Sequence, residues 1–303
     1  MIGTPTGQVT LSLGSRIAED LNREHAKSLP KLAAGRDIAK EVRSTAGMAA
    51  TLNDVPKVTM NKIEERDGFR LETVTIAMEL GMDLGATVAI PNQPGAKPAI
   101  VMMDQLPMAT TAATPEVARL AKSGKIVVVL QPRGTPVDAQ SGVSTQFALG
   151  PYMGVNLRAV VVGKTLVGMR ADDAIRVVNW LVARPDVDRS AITLYGKGAL
   201  GMSALHAAAV DSRIDRVILE NTLVSYRNAL EAPMHRNLSE YAIPGVLKHY
   251  DVSDLISLTK AKIVAANPVD AVGQQLRIKQ AEELLGNRVQ VFRRGPRDPW
   301  PVE

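Results

Sequence analysis

The sequence contains no cysteine and few aromatic residues, and each of these absences narrows the possible functions. Without cysteine the chain has no disulfide bonds, no thiolate metal ligands and no cysteine nucleophile. Aromatic residues make up only 3% of the chain, too few for a surface on which nucleic-acid bases stack. The net charge of +5 is spread over 303 residues, and no run of Lys and Arg is longer than two. We therefore expect no nucleic-acid partner.

Long apolar segments are also missing. The longest apolar runs, such as residues 126–130, are far shorter than the roughly 18 residues that a membrane-spanning helix needs. Residues 1–10 show no basic region followed by an apolar one. We therefore expect neither a membrane partner nor a signal peptide.

The composition is otherwise that of a globular protein, with 46% apolar and 22% charged residues. Residues 1–55 are polar and rich in alanine, with a helical pattern from Arg16 to Ala34 that Pro30 interrupts. We interpret residues 1–55 as an N-terminal extension or linker and residues 56–303 as the folded domain. An adjoining domain of a longer chain is one candidate partner.

The pattern from Lys57 onward predicts an α/β fold. Three segments of alternating apolar residues, separated by Asp67-Gly68 and by residues 81–85, predict an antiparallel meander. Residues 99–103 and 126–130 are continuously apolar, which is typical of strands covered on both faces. Strands are also predicted at 191–195, 216–219, 262–266 and 289–292, and helices from Pro115 and at 172–184, 200–210 and 275–285. This order predicts a doubly wound, mostly parallel sheet with an antiparallel lead-in, and residues 225–258 form an insertion between strands.

A glycine-rich turn joins the predicted strand at 191–195 to the following helix, and it permits two interpretations. Gly196, Gly198 and Gly201 fit the fingerprint G-x-G-x-x-G, in which a dinucleotide pyrophosphate lies at a helix N-terminus. Glu220 ends the next strand, near the position expected for a carboxylate that binds the ribose. A dinucleotide-binding enzyme that uses residues 196–201 is therefore the alternative hypothesis.

The same strand–turn–helix also fits a nucleophile elbow, G-x-S-x-G. Four further segments accompany it in order: Gln131-Pro-Arg-Gly-Thr135, Arg170-Ala-Asp-Asp173, Arg184-Pro-Asp-Val-Asp188 and Ala207-Ala-Ala-Val-Asp-Ser-Arg213. This succession resembles the acetyl xylan esterase-like branch of the α/β-hydrolases, over about residues 57–292. The resemblance implies an α/β-hydrolase fold and hydrolysis of carboxylic esters, with an ester or carbohydrate-derived small molecule as the partner.

The resemblance also assigns places to single residues. It places Arg133-Gly134 after the fourth strand of the family, where Arg133 pairs with Asp172 or Asp173 at the helix before the elbow. It places Asn267-Pro-Val-Asp270 after the seventh strand, with Asp270 at the acid position of a catalytic triad.

Three positions depart from the family pattern. Leu200 stands where the elbow has a small residue, and Gly201 follows one residue later. Gly198 occupies the nucleophile position and carries no hydroxyl group. The general-base histidine of the family follows the last strand, whereas here Phe292 is followed by Arg293. A hydroxyl nucleophile needs a neighbouring base and a group that orients the base. We therefore predict that the usual Ser-His-Asp triad is lost.

Chemistry at another place is a further hypothesis. Ser203 and His206 are three residues apart in the predicted helix and can share one face, and Glu220 ends the next strand. These three residues are the candidates for a relocated site. No metal-ligand spacing is present, and we expect no metal and no cofactor. The sequence thus predicts either a catalytically silent binding or accessory domain or an esterase with a relocated nucleophile.

Overall fold

One nine-stranded sheet forms the centre of the computed structural model, which describes residues 4–29, 37–79, 81–135, 152–232, 234–295 and 298–300. The strands are β1 (Val58–Arg66), β2 (Phe69–Glu79), β3 (Met82–Pro91), β4 (Lys97–Met103), β5 (Ile126–Leu130), β6 (Val187–Lys197), β7 (Arg216–Glu220), β8 (Lys262–Ala266) and β9 (Val289–Phe292). Their order in the sheet is β1-β2-β3-β5-β4-β6-β7-β8-β9.

The type of strand pairing changes once across this sheet, at β5. The pairs β1–β2, β2–β3 and β3–β5 are antiparallel, and every pair from β5 to β9 is parallel. The predicted doubly wound sheet with an antiparallel lead-in is therefore confirmed. All residues of β5 are buried, because helices cover both faces of the parallel part. The edge strand β1 is largely exposed and charged, a pattern that discourages pairing with another chain.

Eleven helices accompany the sheet within the described ranges: α1 (Val9–Leu13), α2 (Ala18–Lys27), α3 (Ile38–Ala46), α4 (Met108–Ala112), α5 (Pro115–Lys122), α6 (Met153–Val161), α7 (Leu166–Ala183), α8 (Ala199–Val210), α9 (Tyr226–Glu231), α10 (Val252–Leu258) and α11 (Ile278–Leu285). Short 3-10 helices cover Leu238–Tyr241 and Val246–Lys248. None of these described helices is both long and apolar enough to cross a membrane.

Some helices start at other residues than the sequence predicts. The helix predicted from residue 275 begins at Ile278. The helix predicted from residue 172 begins earlier, at Leu166, because the Thr165 side chain accepts a hydrogen bond from the Gly168 amide and caps it. Of the helix predicted from Arg16 to Ala34, residues 16–29 are described and contain α2, and residues 30–34 lie outside the described ranges. The helix predicted to start at Pro115 is confirmed, with proline in its first turn.

The N-terminal segment contributes to the main hydrophobic core through α3. Val42 and Ala46 are fully buried in the cluster that includes α7 and α8. The contact is close, since a Cβ atom at Gly168 would lie 2.0 Å from the carbonyl oxygen of Ala46. Asp172 accepts a hydrogen bond of 2.9 Å from the Ala49 amide, and burial raises the pKa of this carboxyl to about 6. Residues 37–49 thus pack on the sheet's helical layer; the boundary at residue 55 stays a prediction.

The insertion between β7 and β8 carries α9, both 3-10 helices and α10. Its residues reach across the carboxyl ends of the parallel strands, where they pack near α6, α7 and α8. In open α/β sheets this edge is where ligands bind. The fold therefore places the glycine turn after β6 beneath a wall made by the insertion.

Candidate functional site

The turn from β6 to α8 is the sharp strand-to-helix connection that the elbow interpretation predicts. Gly198 has φ 60° and ψ −130°, a conformation that favours glycine. A Cβ atom at Gly196 would lie 2.4 Å from the carbonyl oxygen of Leu200, and one at Gly201 would lie 2.0 Å from Thr222 Oγ1. Gly196 and Gly201 are therefore needed for helix α8 to pack this closely on the sheet.

Gly198 differs from these two glycines because space is available around it. A Cβ atom there would have the side chain of Gln105 as its nearest neighbour, at 3.5 Å. That distance is an ordinary van der Waals contact. The position assigned to the nucleophile is thus open enough for a side chain, but it carries none.

A salt bridge stabilises the loop beside the elbow. Arg133, in the loop after β5, donates from Nε to both carboxylate oxygens of Asp173 at 3.0 Å and from Nη2 at 2.5 Å. Asp173 is fully buried, and burial raises the pKa of its carboxyl while Arg133 opposes that shift. Of the two predicted partners of Arg133, the structure selects Asp173.

A cleft of about 630 Å³ opens at the elbow, on the carboxyl edge of the sheet. Gly198 lies within it, Lys197 comes from the end of β6, and the opposite wall comes from the insertion. Further lining residues are Gln105, Tyr152, Asn221, Arg236, Asn237, Glu240, Tyr241, Asp270 and Gln275. The volume lies within the range of small-molecule sites, roughly 300–1,000 Å³.

A buried polar network lies beside Gly198 in this cleft. Glu240 accepts hydrogen bonds from Gln105 Nε2 at 3.0 Å and from Arg170 Nη1 at 2.7 Å. The Arg170 guanidinium also lies over the Tyr152 ring, 5.2 Å from its centroid. Burial raises the pKa of Glu240, and the positive charge of Arg170 opposes the shift. No sequence pattern predicted this network, although Arg170 is a charged residue that directly follows the apolar start of α7.

Asp270 follows β8, where the resemblance places the triad acid, and it lines the cleft. Its Oδ1 accepts hydrogen bonds from the amides of Val272 and Gln274, both at 2.9 Å. At least one carboxylate oxygen therefore stabilises the loop that follows β8.

The segment after β9, where the family has its histidine, provides an arginine to a buried ion pair. Arg294 Nη1 lies 3.0 and 3.1 Å from the two carboxylate oxygens of Glu220. The Tyr195 hydroxyl donates to Glu220 Oε2 at 2.8 Å, and Trp300 stacks on the Tyr195 ring with centroids 5.1 Å apart. Glu220 is the carboxylate that both the relocated site and the ribose-binding interpretation require. It is already bound to protein groups.

Ser203 and His206 lie inside α8, and the structure does not join them by a hydrogen bond. Both side chains are fully buried outside the residues that line the cleft. His206 Nδ1 lies 2.8 Å from the Met202 carbonyl oxygen and Nε2 lies 3.2 Å from the Tyr250 hydroxyl, whereas Ser203 Oγ has no partner among the described residues. Burial lowers the pKa of His206 to about 4. Within the described ranges, no group of His, Asp and Glu side chains is arranged to hold a metal ion.

Comparison with known proteins identifies the fold. No protein-family model matches the sequence, and no curated protein matches it. Solved structures do match. A candidate acetyl xylan esterase from Bacteroides fragilis NCTC 9343 is 15% identical with a TM-score of 0.68, over 93% of this chain and 83% of that chain.

Two further esterase structures agree with this match. Acetyl xylan esterase from Paenibacillus sp. R4 is 17% identical with a TM-score of 0.60, over 89% of this chain and 92% of its own. Glucuronoyl esterase from Solibacter usitatus is 14% identical with a TM-score of 0.57, over 88% and 94%. At these identities the likeness establishes the fold alone. The chain has the α/β-hydrolase fold.

Proposed function

We propose that this α/β-hydrolase-fold chain binds a small molecule in the elbow cleft without forming an acyl-enzyme. The observation that carries the proposal is Gly198. It stands at the sharp turn after β6 with φ 60° and ψ −130°, and it has no atom that could attack a carbonyl carbon.

The surroundings of the turn support the proposal. The usual base of a serine nucleophile in this fold is a histidine after the last strand, but Phe292 at the end of β9 is followed by arginines, and Arg294 is bound to Glu220. His206, one of four histidines in the chain, is buried and bonded to Met202 and Tyr250. Neither Arg294 nor His206 is therefore available to remove a proton in the cleft.

Binding without turnover also fits what the turn retains. Gly196 and Gly201 allow the close packing of α8, the Arg133–Asp173 salt bridge stabilises the neighbouring loop, and the cleft of about 630 Å³ is open. An ester or carbohydrate-derived molecule is the ligand class that the fold suggests.

An esterase with a relocated nucleophile is the second candidate, because the matching solved structures include acetyl xylan and glucuronoyl esterases. Ser203 is the serine to test, since its hydroxyl lacks a partner among the described residues.

Steady-state hydrolysis of 4-nitrophenyl acetate separates the two candidates. We expect the wild-type chain to hydrolyse the ester no faster than buffer with an equal amount of heat-denatured protein. Turnover that Ser203→Ala abolishes, in a variant that remains folded by circular dichroism, would contradict the proposal and establish the relocated site.

A further inference from the structure

A second groove, of about 790 Å³, lies at the amino ends of strands β7, β8 and β9. Its lining includes the first residue of each of these strands, Arg216, Lys262 and Val289. Because the three strands are parallel, their amino ends lie at the edge of the sheet opposite the elbow cleft. None of the described residues lines both sites. The groove is therefore separate from the elbow cleft.

Two cations of this groove are direct neighbours in the sheet. Arg216 of β7 and Lys262 of β8 are paired in register, so their side chains lie on the same face. Neither side chain has a hydrogen bond or an ion pair within the described part of the chain. Like charges in this arrangement repel each other. An anion bound between the two side chains would remove this repulsion.

The groove contains two more cations and no acid to balance them. Lys260 lines the groove and is exposed. Arg288 donates from Nη1 and Nη2 to the carbonyl oxygens of Ser257 and Thr259, which position its guanidinium but carry no net charge. Among the described lining residues there is no carboxylate. Four positive charges in one concave site favour a ligand with several negative charges.

Apolar side chains accompany the four cations. Val264 lies two residues after Lys262, and strand alternation places both on the same face of β8. Val264 and Trp300 belong to one buried cluster, and Phe292 packs against it. All three apolar residues line the groove. An organic ligand can bury apolar surface against them, which an inorganic ion cannot do.

We propose that this groove binds an organic phosphate. Its phosphate or polyphosphate group lies between Arg216 and Lys262, and its organic part covers Val264, Phe292 and Trp300. A phosphate monoester carries nearly two negative charges at neutral pH, whereas a carboxylate carries one and would balance a single cation. Guanidinium and ammonium groups both bind phosphate oxygens with charge-assisted hydrogen bonds.

Isothermal titration calorimetry with ATP, sodium tripolyphosphate and adenosine tests the two halves of this inference separately. Tripolyphosphate provides the charge alone, and adenosine provides the organic part alone. At an ionic strength of about 0.15 M, which screens weak surface attraction, we expect ATP to bind the full chain with a Kd of about 0.1 mM or tighter. Tripolyphosphate should bind about tenfold more weakly, and adenosine about 100-fold more weakly.

Charge variants locate the binding site. Arg216→Gln and Lys262→Gln should each weaken ATP binding about tenfold. Both variants should remain folded by circular dichroism, because each change removes a repulsion between two unpaired side chains. Two matched controls should bind ATP like the wild-type chain: Lys40→Gln, at an exposed position of α3, and Lys197→Gln, in the elbow cleft.

Several results would overturn the inference. No binding of ATP, adenosine that binds as tightly as ATP, or groove variants that bind ATP like Lys40→Gln would each exclude a phosphate site in the groove. Tripolyphosphate that binds as tightly as ATP would show that the organic part makes no contact. Loss of ATP binding in Lys197→Gln, with binding retained in Arg216→Gln, would place the anion in the elbow cleft instead.

Discussion

The residues that pack around the elbow are tightly constrained, whereas the position assigned to the nucleophile is not. Gly196 and Gly201 are fixed by contacts that leave no space for a Cβ atom, and Arg133 holds the fully buried Asp173. Gly198, in contrast, has space for a side chain and carries none. The parts that build the turn are therefore separable from the parts that would perform acyl transfer.

This contrast has a physical basis. Packing contacts and buried charges contribute to the free energy of folding, so they are needed whether or not a reaction occurs. A nucleophile and its base contribute to the reaction alone. A hydrolase-fold cleft can thus serve as a binding site even without a nucleophile and a base.

We expect the largest loss of stability when the salt bridge beside the elbow is removed. Arg133→Met leaves the buried Asp173 carboxylate without its cation, which should lower the free energy of unfolding by about 3–5 kcal/mol. Urea unfolding followed by tryptophan fluorescence measures the change. Lys122→Met, which removes an exposed bridge to Asp67, is the control and should leave the urea midpoint nearly unchanged. Equal costs for both variants would contradict the account of the loop.

The next largest loss of stability is expected at one of two glycines in the same turn, Gly196 and Gly198. Gly196→Ala should lower the free energy of unfolding by about 3 kcal/mol or more, because its Cβ meets backbone atoms that cannot rotate away. Gly198→Ala should cost only about 1–2 kcal/mol, which is the cost of its positive φ. The same urea experiment tests both variants. A larger loss of stability for Gly198→Ala than for Gly196→Ala would contradict the conclusion that Gly196 is the more tightly packed of the two.

The pH dependence of stability tests whether His206 is a buried packing residue rather than a catalytic base. Its folded-state pKa of about 4 lies below the unfolded value of 6.5, so below pH 6.5 the unfolded chain binds a proton that the folded chain does not. Stability from this group should fall by about 1.4 kcal/mol per pH unit between pH 6.5 and 4, and by about 3 kcal/mol in all. His206→Gln should remove this contribution from the measured slope, and His25→Gln, at an exposed site, should retain it. An identical slope in all three proteins would refute the burial argument.

The smallest expected effect is a gain of activity that does not occur. Gly198→Ser adds a hydroxyl in a position with space, but residues 293–303, which follow β9, contain no histidine to activate it. We expect hydrolysis of 4-nitrophenyl acetate by this variant to remain at the wild-type level. Clear turnover would mean that another base reaches the elbow.

Local patterns were sufficient to predict much of the fold. The apolar run of β5 and the proline at the start of α5 each depend on neighbouring residues, and both are observed where the sequence placed them. The start of α7 was missed because the Thr165 cap gave no periodic signal.

The polar network of the cleft could not be predicted in the same way. Gln105 is 135 residues from Glu240 in the sequence, and Arg170 is 70 residues from it. Only the folded chain brings them together, since the insertion that carries Glu240 shows no local pattern that relates it to β4 or α7. Gly198 could be located because the turn imposes its own glycine spacing on the sequence.

Labelling with a fluorophosphonate probe, followed by peptide mass spectrometry, tests the central claim most directly, because the probe reports an activated serine without knowledge of the substrate. An active serine hydrolase in the same experiment serves as the positive control. The account predicts no adduct on any serine of the wild-type chain. An adduct on Ser203, or on any other single serine, would contradict it and identify a working nucleophile.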